Sequence, residues 1–229
     1  MGAIRNLIQS VNAASESATE QKALIETLAK LAEAKANYFQ LELTQKLRTA
    51  GSEENLTIPV ETVLDTTVAT HAFSSEDSGA IGDTVKSALK SFLSGGEGKV
   101  IEGIGSLISD ATGIFLGDAS ASESTLRETY VTIEGYSVVR IDISAWKMNV
   151  QAMGITQLTE TVSAFVAAKS AVDMSKIGFS TFLNVYRSQL ADVLNPDEVL
   201  TALRQAKKIF EEFYPQAIHP ASSSTQALG

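Results

Sequence analysis

The chain has no cysteine, two histidines, one tryptophan and four prolines in 229 residues. Without thiols there are no disulfides, thiol nucleophiles or thiolate metal sites. That pattern suits a reducing compartment and a cytoplasmic protein as synthesised, with export by a route lacking a cleavable signal left open. His71 and His219 alone supply almost no material for a Ser-His-Asp relay or a histidine-rich metal site. Neither has an acid pattern beside it, and both read as surface or capping residues. No run reaches the roughly 18 apolar residues that cross a bilayer as one helix, and Met1–Ser10 lacks the layout of a secretory signal. Gly2 invites a myristoylation reading, but Asn6 stands where that pattern needs Ser or Thr.

Clustered basic residues are also missing. The net charge is −9, and the one adjacent basic pair is Lys207–Lys208, which excludes nucleic acid as a partner class. The glycine-rich turn Gly95–Lys99 fails as a phosphate loop on spacing. Leu93 stands where the leading glycine belongs, and Val100 stands where Ser or Thr should follow the lysine. The acidic pairs Glu53–Glu54 and Glu211–Glu212 are sequence neighbours that point apart on a helix, so they read as solvated surface. These absences leave no catalytic, cofactor-binding or metal-ligating residue to nominate, and the expectation is a protein that is not an enzyme and needs no cofactor.

Apolar residues are plentiful at 44% of the chain, against 20% charged, enough to bury a substantial core. Ser17 and Glu20 spell a capping box. From there to Arg48 the residues Ile25, Leu28, Ala32, Ala36, Phe39, Leu43 and Leu47 fall at steps of three and four, which predicts one long amphipathic helix ended by Gly51. Pro59 suits the first turn of a shorter helix through Phe73, although the many Thr and Val residues keep a strand open there. Ile155–Leu194 carries a broad apolar stripe, with Gly178 as a bend, and predicts a central core helix. Asn195, Pro196, Asp197 and Glu198 spell a helix start leading to Phe213, before Pro215.

Between these, two segments stand out. Near 125–147 the pattern alternates and predicts a β-hairpin. A three-residue loop, Gly135–Ser137, would set Ile133 against Val139 and keep the apolar residues on one face, with Trp146 anchoring the hairpin's end. Arg127, Glu128, Arg140 and Asp142 would then gather on the polar face. From Gly79 to Gly117, the apolar residues Ile81, Val85, Leu89 and Phe92 precede the glycine turn. Val100, Ile104, Leu107, Ile108 and Phe115 follow it, predicting a helical hairpin rich in glycine. Each glycine inside a helix costs about 1 kcal/mol against alanine, so a packing partner is expected to offset that cost.

The expected fold is mainly α, a helical bundle of about five or six helices with one inserted β-hairpin. It forms a single domain over residues 1–215, with 216–229 as a flexible tail. Function is expected to reside in amphipathic helical surfaces. The helical hairpin 79–117 is the nominated working surface, meeting membrane lipid as pore-forming proteins do. Self-assembly into a homo-oligomer or scaffold, and carriage of a lipid or small molecule, are the alternatives.

Overall fold

The computed structural model describes residues 16–53, 55, 57–73, 89, 92–93, 105–108, 110–112, 114–115, 123–151, 159–191 and 194–215. Its elements are helix α1 (Glu16–Thr49), strands β1 (Val60–Phe73), β2 (Glu123–Glu134), β3 (Ser137–Gln151) and β4 (Thr159–Val172), and helices α2 (Phe179–Ala191) and α3 (Pro196–Phe213). Short helical stretches also lie within 89–93 and 105–115. The four strands form one antiparallel sheet in the order β1-β4-β3-β2. A mainly α bundle with one inserted hairpin is therefore corrected to an α+β fold. Helical residues still outnumber strand residues among those described, but the chain is not all-α.

Two segments expected to be helical are strands, for separate reasons. In β1 the β-branched residues Val60, Thr62, Val63, Thr66, Thr67, Val68 and Thr70 lose rotamer freedom in a helix and pack well on a pleated surface. Pro59 precedes a strand, where its missing N–H costs nothing. In β4 both faces are buried: Val162, Ala164, Val166 and Ala168 join α1, while Phe165 and Ala167 join the opposite core. A strand buried on both sides has no polar alternation to show its period, and its alanines favour helix locally. Gly178, expected as a bend in one long helix, precedes α2, and its carbonyl accepts the N–H groups of Thr181 and Phe182.

The β2–β3 hairpin closes through Gly135–Tyr136, with Ile133 opposite Val138 and Val131 opposite Arg140. This two-residue register replaces the expected three-residue loop. Gly135 takes a left-handed φ of 60°, as tight hairpins require. The expectation assumed one wet face. In the structure Arg140 is itself buried and paired with Asp142, so Val131 stands opposite it in a dry interior.

α1 covers one face of the sheet, mainly over β1 and β4, burying Leu28, Ala32, Ala36, Phe39, Leu43 and Leu47 against Trp146 and the β4 residues. The predicted stripe is thus observed from Leu28 onward, while the side chains of the Ser17–Glu20 box and Ile25 lie outside the described residues. Gly51 ends the helix with a φ of 79°, and a Cβ there would come within 2.5 Å of the Pro59 Cβ. α3 begins as its sequence spells. The Asn195 side chain accepts the N–H groups of Asp197 and Glu198, and Glu198 reaches back to the Asn195 N–H. Phe210 of α3 stacks on Phe182 and meets Phe179 of α2, joining both helices to one core with the upper part of the hairpin.

Candidate functional site

Three polar contacts tie the buried face of α1 to the sheet, and they end at an enclosed ion network. Lys35 pairs with Glu123 at 3.0 Å and lies over the Trp146 ring at 5.0 Å, while Trp146 Nε1 donates to Glu123 at 2.6 Å. The hydrogen bond from Trp146, then that from Lys35, hold the Glu123 carboxyl below its ordinary range. Further along, Arg127 grips Glu42 through Nε and Nη2 at 3.1 and 3.0 Å. Lys46 then donates to Asp142 at 2.9 Å and to Thr129 at 3.0 Å. Positions 35, 42 and 46 recur at helical spacing, so one stripe of α1 carries all three contacts.

Asp142 and Arg140 are two residues apart on β3 and so share a face. Their side chains are 1% and 0% exposed. Arg140 Nε and Nη2 donate to the two oxygens of Asp142 at 2.6 and 2.9 Å, and Nη1 donates to Thr57 and to the Ile58 carbonyl. Thr129 Oγ1 adds a 2.7 Å hydrogen bond to Asp142. Burial pushes the Asp142 carboxyl up, but the hydrogen bonds and charges of Arg140 and Lys46 together outweigh it and hold the group below the usual aspartate range. The expected cluster of Arg127, Glu128, Arg140 and Asp142 is therefore divided. Arg140 and Asp142 meet Lys46 in the interior, Arg127 meets Glu42, and Glu128 falls on the opposite face by strand alternation.

A pocket of about 550 Å³ adjoins this network, between the end of α1, the Thr57–Pro59 segment and the start of α2; Lys46, Arg140, Lys176, Ile58, Ile177 and Val185 are among its lining residues. Sequence reasoning missed it because its wall joins residues from five separate segments. The available signal was the Arg-x-Asp spacing on a strand, which turns opposite charges to one side.

No protein-family model matches the chain, and neither a curated protein nor a solved structure is significantly similar to it.

The nominated hairpin surface lies partly inside the molecule. Leu89, Phe92 and Ile108 are buried in the core on the sheet face away from α1, and Leu107 and Phe115 pack against that core. Phe115 sits beneath the buried Lys147 ammonium of β3 at 5.3 Å. Ile81, Val85, Val100 and Ile104 lie outside the described residues, as do the Gly95–Lys99 turn, His219 and the tail. Among the described residues, no helix is long and apolar enough to cross a membrane, and no group of three or more metal-ligating side chains converges.

The two outer strands of the sheet differ. β2 carries Glu123, Arg127, Glu128 and Glu134, α2 packs against it, and its Val131 N–H donates to the Gln189 side chain of α2 at 3.0 Å. β1 has 14 residues and two acids, Glu61 and Asp65, both in its first half. Its two register irregularities, between Val60 and Thr62 and between Val63 and Asp65, lie there too. From Thr66 to Phe73 it pairs regularly with β4 and contains no acid, lysine, arginine, proline or glycine. Val63, Leu64 and Val68 are 46, 52 and 44% exposed. Among the described residues no strand pairs with its outer edge.

Proposed function

We propose that this protein is a self-assembling structural component that pairs with a second copy of itself through the open edge of β1. The observation that carries the reading is the contrast between the two edges. Folded proteins blunt outer strands with charges, prolines, bulges or covering segments, because an unpaired row of N–H and C=O groups accepts another strand. β2 has such protection, and among the described residues the Thr66–Phe73 half of β1 has none.

The placement of the acids supports an antiparallel pairing about a two-fold axis. Antiparallel pairing of the two Thr66–Phe73 halves leaves the acids and irregularities of the two copies apart, at opposite ends of the paired stretch. Parallel pairing would place Glu61 and Asp65 opposite their own copies, which is destabilising. Growth stops at two copies, because the β2 edges left on the outside carry Glu123, Arg127, Glu128 and Glu134, and Gln189 takes the Val131 N–H. The product is two four-stranded sheets joined edge to edge. The hairpin residues Leu89, Phe92 and Ile108 already pack in the core, so their exposure to lipid would require leaving it.

Sedimentation velocity tests the pairing. Wild type should sediment as a dimer and Val68→Lys as a monomer with unchanged circular dichroism, because a two-fold axis brings the two introduced ammonium groups together near mid-strand. Leu41→Lys, on the exposed side of α1, should remain dimeric. A monomeric wild type at about 100 µM, or a dimeric Val68→Lys, would contradict the proposal.

A further inference from the structure

The pocket beside the Arg140–Asp142 network carries positive charge in a chain that is strongly acidic. Among the described residues its charged lining is Lys46, Arg140 and Lys176, all cations. Asp142 offsets one of these charges from behind the wall, and Asp173, 3.0 Å from Lys176, offsets another. One positive charge is left, at the Lys46–Arg140 end. Arg140 is locked by Asp142, Thr57 and the Ile58 carbonyl, so its charge stays in place without reorganisation. Lys46 donates to Asp142 and Thr129, and its third proton has no partner among the described residues.

Two further features point the same way. Gly178 and Thr181, at the start of the 13-residue helix α2, line the pocket, and no acid occupies that helix's first turn, so the positive end of its dipole is uncompensated. The remaining wall is largely aliphatic, from Ile58, Pro59, Ile177 and Val185. A volume of about 550 Å³ falls within the range of small-molecule sites.

The geometry points to this pocket as a binding site for a small amphiphilic anion, with its charged head at Lys46 and the mouth of α2 and its apolar chain along Ile177 and Val185. The site is independent of the β1 edge. Octanoate is the probe, titrated calorimetrically into the full chain at pH 7 and low ionic strength, beside octan-1-ol and inorganic phosphate. One saturable octanoate site per chain is expected. Lys46→Met should weaken it at least about tenfold, the loss of one charge-assisted hydrogen bond. Thr181→Phe, which fills the pocket from its exposed rim, should abolish it. Octan-1-ol and phosphate should each bind at least about tenfold more weakly, since each supplies half of the recognition. Equal binding of octan-1-ol would overturn the anionic head, and equal binding of phosphate would overturn the apolar chain. Undiminished octanoate binding by Thr181→Phe would place the ligand elsewhere and overturn the site itself. If Lys46→Met unfolds, Thr181→Phe decides alone, its fold verified by circular dichroism.

Discussion

Replacing Asp142 with asparagine should be among the most damaging conservative changes this chain can take. The substitution preserves shape and removes one charge from a site where Arg140 and Asp142 are 0% and 1% exposed. Asp142 accepts four hydrogen bonds, two from Arg140 and one each from Lys46 and Thr129. Asparagine keeps one oxygen and turns an NH2 toward the Arg140 guanidinium or the Lys46 ammonium, neither of which can accept from it. The Lys46 ammonium can turn toward water, its side chain being partly exposed, so most of the cost falls on Arg140. Breaking a buried pair by removing one partner costs about 3–5 kcal/mol. For a chain of this size that is a Tm lower by roughly 6–20 °C, at about 2–4 °C per kcal/mol. Urea titration followed at 222 nm gives the free energy directly. The pair Arg140→Met with Asp142→Leu should recover about half of the loss or more, because an apolar pair leaves no buried charge, although the Ile58 carbonyl loses a donor. A cost below about 1 kcal/mol for Asp142→Asn, or a double variant weaker than the single one, would refute the claim that a desolvated guanidinium depends on this carboxylate.

Other outcomes follow from the same contacts. Because the Asp142 carboxyl is held below its ordinary range, its contribution to stability is complete above about pH 4 and is lost as pH falls through the lower folded value. Urea midpoints measured downward from pH 7 should therefore fall less steeply below about pH 4 in Asp142→Asn than in wild type. Gly51→Ala must place a Cβ against Pro59 at a φ of 79°, and equilibrium denaturation should show a loss of about 1–3 kcal/mol. Asn195→Ala removes the cap of α3 and should cost about 1 kcal/mol by the same measurement, with Asn195→Ser recovering most of it. Dimerisation through β1 should strengthen with salt, since two copies of net charge −9 repel and the proposed contact contains no ion pair. A dissociation constant that rises with sodium chloride would argue for an electrostatic interface instead.

The sequence was legible where one face is buried and the other is wet. α1 and α3 are of that kind. Leu28 to Leu47 recur at helical spacing, and Asn195 to Glu198 announce a helix with residues that act locally. β4 was illegible because α1 covers Val162 to Ala168 on one side while the opposite core covers Phe165 and Ala167 on the other, leaving a run that reads as a helix. The alternating pattern announces the hairpin but not its register, because Arg140 reads as a solvent residue and is buried against a carboxylate two positions on. β1 carries its strand signal in the run of β-branched Val and Thr residues, which Pro59 at a helix-like start obscures, and pairing with β4 completes it. The ion network needs Lys46 from a helix 94 positions before Arg140, and no local pattern announces such a meeting. The edge of β1 became a candidate surface only once the strand order put β4 and β3 inside and left β1 outside.

Amide hydrogen exchange at two protein concentrations tests that edge most directly. In the stretch Thr66–Phe73, alternate amides bond to β4 and the others point outward. Pairing with a second copy predicts that the outward set is protected at about 100 µM and exchanges freely at about 0.1 µM, while the amides of β3 and the Val131 amide of β2 keep the same protection at both. Outward β1 amides that exchange freely at both concentrations would contradict the account.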